Sequence, residues 1–156
     1  MSSQIITDGT IIKCDQSCSL TPGTPVPDSG EFPPGAPGSL VVLTANMVFS
    51  NKKPVANIND NKPNVNIPPF VTSCKSKTNP TVISASAAAT AAAAGIKMFV
   101  AAPCTPIIPP LQSWSSGSPS CNLCNFPLVT KNSTLQCAMG GTISISSSQV
   151  QNVKIN

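Results

Sequence analysis

LVVLTANMVFSNKKPVANINDNKPNVNIPP (Leu40–Pro69) reads as short extended segments cut by polar turns. Leu40 to Phe49 is rich in β-branched and large apolar residues and predicts a strand. Asn51-Lys52-Lys53-Pro54 turns the chain, and Val55 to Ile58 returns. A second polar turn follows at Asn59 to Pro63. Val65 and Ile67 then alternate with asparagine over Asn64 to Ile67, the period of a half-buried strand. Pro68-Pro69 ends the run, because proline cannot donate to a ladder. This pattern predicts a β-rich meander.

The same punctuation continues on both sides. IITDGTIIKC (Ile5–Cys14) reads as strand, turn, strand about Asp8-Gly9. Residues 19–39 hold six prolines and four glycines and predict a surface loop. Downstream, residues 80–96 predict one alanine-rich helix: Pro80 opens it, alanine has the best helix propensity, and Gly95 stops it. A second Pro/Ser/Gly-rich loop spans 103–120. Strand signals return at Phe126–Thr130, Leu135–Ala138 and Thr142–Ser146, and the last ten residues alternate like a further strand. The fold expected from these elements is mainly β: short hairpins crossed by one helix, in a single domain over 1–156.

Composition narrows the function. Charged residues are 9% of the chain, against roughly a quarter in an ordinary domain, so either a partner covers much of the surface or Ser, Thr and Asn keep it wet, and the reading taken is an assembly component. The net charge of +4 comes from scattered lysines without arginine, so no nucleic-acid footprint is expected. With no histidine and five dispersed carboxylates, neither an acid/base pair nor an activated nucleophile is available, and no enzyme is expected. The start shows no basic region followed by an apolar stretch, so a cytoplasmic origin without a signal peptide is expected. Val82 to Ala102 has the length of a membrane span, but its alanines and Lys97 favour an ordinary helix. Asn132-Ser133-Thr134 matches a glycosylation sequon, and Asn57 to Asn66 carries too little acidic charge for calcium.

Seven cysteines carry the chemistry: Cys14, Cys18, Cys74, Cys104, Cys121, Cys124 and Cys137. An odd count without an export signal favours a thiolate metal site over a disulfide framework. Spacing alone prefers Cys14, Cys18, Cys121 and Cys124, two close pairs of the kind that reach one tetrahedral zinc ion. A dispersed quartet competes: Cys14, Cys74, Cys104 and Cys137 each end an apolar segment and would meet if those segments converge. Cys121-Asn122-Leu123-Cys124 also has redox spacing, but no βαβ pattern surrounds it.

Five blocks bear on that choice: DGTIIKC (Asp8–Cys14), VANINDNKPNVNIPPFVTSC (Val55–Cys74), NPTV (Asn79–Val82), APCTP (Ala102–Pro106) and LQCAMGGTISI (Leu135–Ile145). Together, in this order, they resemble PAAR-like proteins, a family first described as a domain of unknown function. Its members resemble the sharpened tips of type VI secretion and related contractile injection systems. The resemblance implies a metal-pinned cone of hairpins with Cys14, Cys74, Cys104 and Cys137 as ligands, and structural zinc (or iron) as the cofactor. Better-known PAAR tips use mostly histidine, which this chain lacks, so an all-thiolate site is the implied variant. The implied partner is a trimeric VgrG-like spike protein, capped at one copy per trimer. The target membrane is then met transiently, on delivery outside the cell or into a target cell. A zinc-binding adaptor that docks a secreted effector is the alternative.

Overall fold

The computed structural model describes residues 3–148 and 154–155. Its backbone is mainly β, arranged in small antiparallel sheets, with one α-helix among the described residues. The largest sheet has four strands in the order Thr134–Gln136, Thr142–Ser147, Ile11–Cys14, Gly38–Ser39. A three-stranded sheet joins Ala102–Pro103, Ser73–Cys74 and Ser17–Cys18.

Three short segments close a ring that no regular sheet contains. Thr7 bridges Val55, Asn57 bridges Leu128, and Thr130 bridges Ile5. In each segment the first residue pairs with the third residue of a neighbour, so the pairing runs round and returns to its start. The middle residues, Ile6, Ala56 and Val129, are each 0% exposed. The Ala56 amide donates to Ile6 O at 2.9 Å and the Val129 amide to Ala56 O at 3.1 Å. Each segment ends in the same reversal: the amides of Thr10, Asp60 and Ser133 donate to Thr7 O, Asn57 O and Thr130 O.

Each segment is also led in by a strand pair. Phe49–Ser50 pairs with Lys53–Pro54 before Val55, and Asn122–Leu123 pairs with Phe126–Pro127 before Leu128. Ser3–Gln4, before Ile5, pairs with Lys154–Ile155. The first two pairs are two-residue hairpins whose turn residues are all left-handed: Asn51 (φ 49°), Lys52 (64°), Cys124 (54°) and Asn125 (68°). Such turns match the twist of the strands they join. Backbone pairing, turn and burial thus repeat three times in one chain.

The ring has two apolar sides. Ile6, Ala56 and Val129 belong to the main core, which continues through Ile12, Leu40, Ile67, Leu135 and Ile143 to Cys74 and Cys104. Ile5, Val55 and Leu128 gather instead with Leu123 of a hairpin. Trp114, 2% exposed, ties the 103–120 segment to the ring by donating its indole N–H to Asp60 O at 2.9 Å.

Several expectations are corrected. Leu40 to Phe49 is not one strand: Val41 N donates to Asn66 O, Val42 N to Asp8 Oδ1, and Leu40 N to Thr10 O. A 3-10 turn at Thr44–Asn46 then breaks the run, and only Phe49–Ser50 is strand. Asn64 to Ile67 is a turn, with Asn64 at φ 61° and the amides of Val65, Asn66 and Ile67 all aimed at Lys62 O. Asparagine tolerates that conformation. Residues 19–39 are pinned at Pro25–Pro27 to Met98–Val100 and at Gly38–Ser39 to Ile11–Ile12.

The helix, α1, spans Pro80–Ala92 and ends before 96. Asn79 caps its start, accepting from Thr81 N. Left-handed Ala94 (φ 55°) and Gly95 (87°) end it, with Gly95 N donating to Thr90 O at 3.0 Å. No helix among the described residues is long and apolar enough to cross a membrane.

Candidate functional site

Cys14, Cys74, Cys104 and Cys137 come together around one small, partly open void of about 20 Å³, with Gln16, Asn79 and Gly141 completing part of the wall. Each cysteine is delivered by a different element. Cys14 ends Ile11–Cys14 and is paired across to Ile143. Cys74 sits in the middle strand of the three-stranded sheet, opposite both Ser17 and Ala102. Cys104 follows Ala102–Pro103, its amide donating to Thr72 O at 3.1 Å. Cys137 follows Thr134–Gln136, its amide donating to Gly141 O at 2.8 Å.

The wall leaves little slack. A Cβ on Gly141 would lie 2.7 Å from Cys14 Sγ, so only glycine leaves that sulfur its place. Cys137 Sγ accepts the Ile107 amide at 3.4 Å. Cys14 and Cys104 hydrogen-bond to each other. That bond holds the Cys14 thiol below its ordinary value, although burial pushes the other way. For Cys104 the same bond raises the thiol, and burial adds to it. Among the described residues, no three His, Cys, Asp or Glu side chains stand as an ion's coordination shell would need. The wall of that void carries four cysteines and no carboxylate, a donor set of the kind a thiophilic ion takes.

The competing quartet is not assembled. Cys18 is fully buried in a second cluster with Val82, Phe99, Ala101 and Ala102, against which Phe32 packs. Its thiol is raised by burial. Cys121 is a partly exposed residue before a strand, and Cys124 is an exposed turn residue. All seven cysteines are free thiols.

Sequence reasoning missed the ring. Its signal is weak but present: IITDGT (5–10), VANIND (55–60) and LVTKNS (128–133) each read apolar, apolar, Thr/Asn, two turn residues, then a short oxygen-bearing residue. The last position has a function in two copies, where Asp60 Oδ2 accepts Asn57 N and Ser133 Oγ accepts Thr130 N. No residue is shared by all three copies at any position, so identity does not expose the repeat.

A small, mainly β protein with one helix and a thiol-lined void defines the class. Residues 6–149 match the family model described as a domain of unknown function (DUF4280), and the chain belongs to that family. Neither a curated protein nor a solved structure matches the chain.

Proposed function

We propose that this protein is a structural spike tip: one copy caps the three-fold end of a trimeric VgrG-like spike of a type VI secretion or related contractile injection system. The observation that carries this reading is the cyclic pairing of residues 5–7, 55–57 and 128–130. An asymmetric monomer on a three-fold axis would offer three subunits three unrelated surfaces. A chain that repeats one backbone arrangement three times offers each subunit nearly the same edge, so identical chains can all be satisfied at once. Apolar surface beside the hairpins supports the same face: Met47 is 82% exposed and Phe49 52%, with Val48 and Phe126 also exposed.

Cys14, Cys74, Cys104 and Cys137 would hold the metal. A thiolate-bound zinc (or iron) ion supplies rigidity and no reaction, since four protein ligands leave no open position. It would tie three long stretches of chain together at the point that meets the target membrane. The protein acts, on this reading, before and during firing: it is made in the cytoplasm and carried out on the spike.

The test is the stoichiometry of the purified chain with a trimeric spike protein, measured by native mass spectrometry. One copy per trimer, lost with Phe49→Glu and Phe126→Glu while the fold persists, is the expected result. No complex, or three copies per trimer, overturns the reading. Separately, elemental analysis should find about one zinc or iron per chain. It should be lost in Cys→Ser variants at positions 14, 74, 104 and 137 and retained at 121 and 124.

A further inference from the structure

α1 is attached in an unusual way. Its residues, Pro80–Ala92, carry no charge, and Val82 alone is buried. An uncharged helix with apolar residues on every side normally lies inside a protein, not on its surface. Ile83, 53% exposed, and Ile96, 66% exposed, extend the apolar surface at its flanks. Val82 anchors α1 in the cluster with Cys18 and Phe99, and two hydroxyls tie it to the strand beside it: Ser86 Oγ accepts the Val100 amide at 2.9 Å and Thr90 Oγ1 accepts the Met98 amide at 3.0 Å.

Between α1 and Met98–Val100 runs a groove of about 590 Å³, with Ile83, Ala87, Ala91 and Met98 among its apolar lining. Its rim is charged. Lys77 Nζ and Lys97 Nζ both lie 3.7 Å from Asp28 Oδ2. The lysine side chains are 66% and 77% exposed, while that of Asp28 is only 7% exposed. Two cations share one sunken carboxylate, so the rim presents a surplus positive charge to whatever enters.

We infer that this groove docks an apolar helix of another protein, one that carries a carboxylate beside Lys77 and Lys97. Three observations select that occupant. An extended strand would need backbone donors, but Met98–Val100 already pairs with Pro25–Pro27 on one edge and is capped by Ser86 and Thr90 on the other. A helix satisfies its own backbone, and the alanine floor at Ala87 and Ala91 lets one approach closely. A second copy docked groove to groove would bring lysine against lysine, and a flat membrane does not fill a concave groove. The surface is separate from the ring and the thiol-lined void, so the inference does not rest on the spike-tip reading.

The experiment uses the full chain and fluorescein-labelled helical peptides of alanine and leucine, ending in a free carboxylate or in an amidated lysine, read by anisotropy. The carboxylate peptide should bind saturably, and about tenfold more weakly to a Lys77→Glu, Lys97→Glu double variant. Ala87→Gln and Ala91→Gln, at exposed positions, should also weaken it with the circular dichroism unchanged. Absence of saturable binding overturns the inference, and so does equal binding of the two peptides. Binding to phosphatidylserine vesicles that the same variants abolish, without peptide binding, would assign the groove to membrane and overturn it too. Retained one-to-three binding to the spike trimer by the groove variants would show the two surfaces to be independent.

Discussion

The ring and the helix are both short and both carry apolar side chains, yet they are secured by opposite means. In the ring, Ile6, Ala56 and Val129 are wholly enclosed and the backbone of each segment pairs with both others. In α1 one residue is buried, and two hydroxyls hold the helix to its strand. The ring's three segments pair round and close on themselves. The helix keeps most of its surface for something else.

The contrast predicts a graded series of stability effects. Val129→Asp would set a carboxylate at the centre of the ring and should cost about 4 kcal/mol or more in urea unfolding, enough to prevent folding at ordinary temperature. Ile6→Ala leaves a cavity in the same place, at a cost of about 2–5 kcal/mol. If either variant unfolds no more readily than the wild type, the ring is not the organising element.

On the helix side the largest effect belongs to the hydroxyls. Ser86→Ala orphans the amide of Val100, itself 4% exposed, and should cost about 1–3 kcal/mol. A cost below that range would mean that water reaches the strand edge and the helix is held even more loosely.

Cys18, in the cluster beneath the helix, gives a pH dependence. Burial raises its folded-state thiol above the ordinary 9.0. Its contribution is therefore fully present below pH 9.0 and is lost as pH rises through the folded value, because the unfolded chain ionises first. Stability should fall in alkaline buffer, and Cys18→Ala should flatten that fall in a series of denaturant titrations. Smallest of all is Ile83→Ala, which should stay within about 0.5 kcal/mol of wild type despite removing a large apolar side chain.

Some of this was legible from residue order. The turn at Asp8-Gly9 and the helix opened by Pro80 depend on contacts a few residues apart, so local chemistry specifies them. The strand expected over Leu40 to Phe49 failed for the complementary reason. Its β-branched residues satisfy a strand's propensity, but three successive amides alternate between two distant segments, Asp8–Thr10 and Asn66, instead of following one partner strand. Propensity describes what a residue tolerates, and long-range partners decide what it does.

The cysteines divide along the same line. Spacing favoured Cys14 with Cys18, Cys121 and Cys124, because close pairs are easy to bring to one point. The fold sends Cys14 and Cys18 to different clusters and spends Cys124 on a hairpin turn. It gathers instead Cys14, Cys74, Cys104 and Cys137, each at the end of its own apolar segment. The resemblance of the surrounding blocks pointed to that quartet, and spacing did not.

Sequence alone determined the β-rich class, the single helix, the absence of histidine chemistry and the cysteines from which a thiol site must be drawn, because composition and neighbouring residues suffice for these. The closed ring, the meeting of four distant thiols and the groove beside α1 were decided only by the tertiary structure. Each depends on groups tens of residues apart in the chain, and no local pattern of neighbouring residues specifies which of them meet.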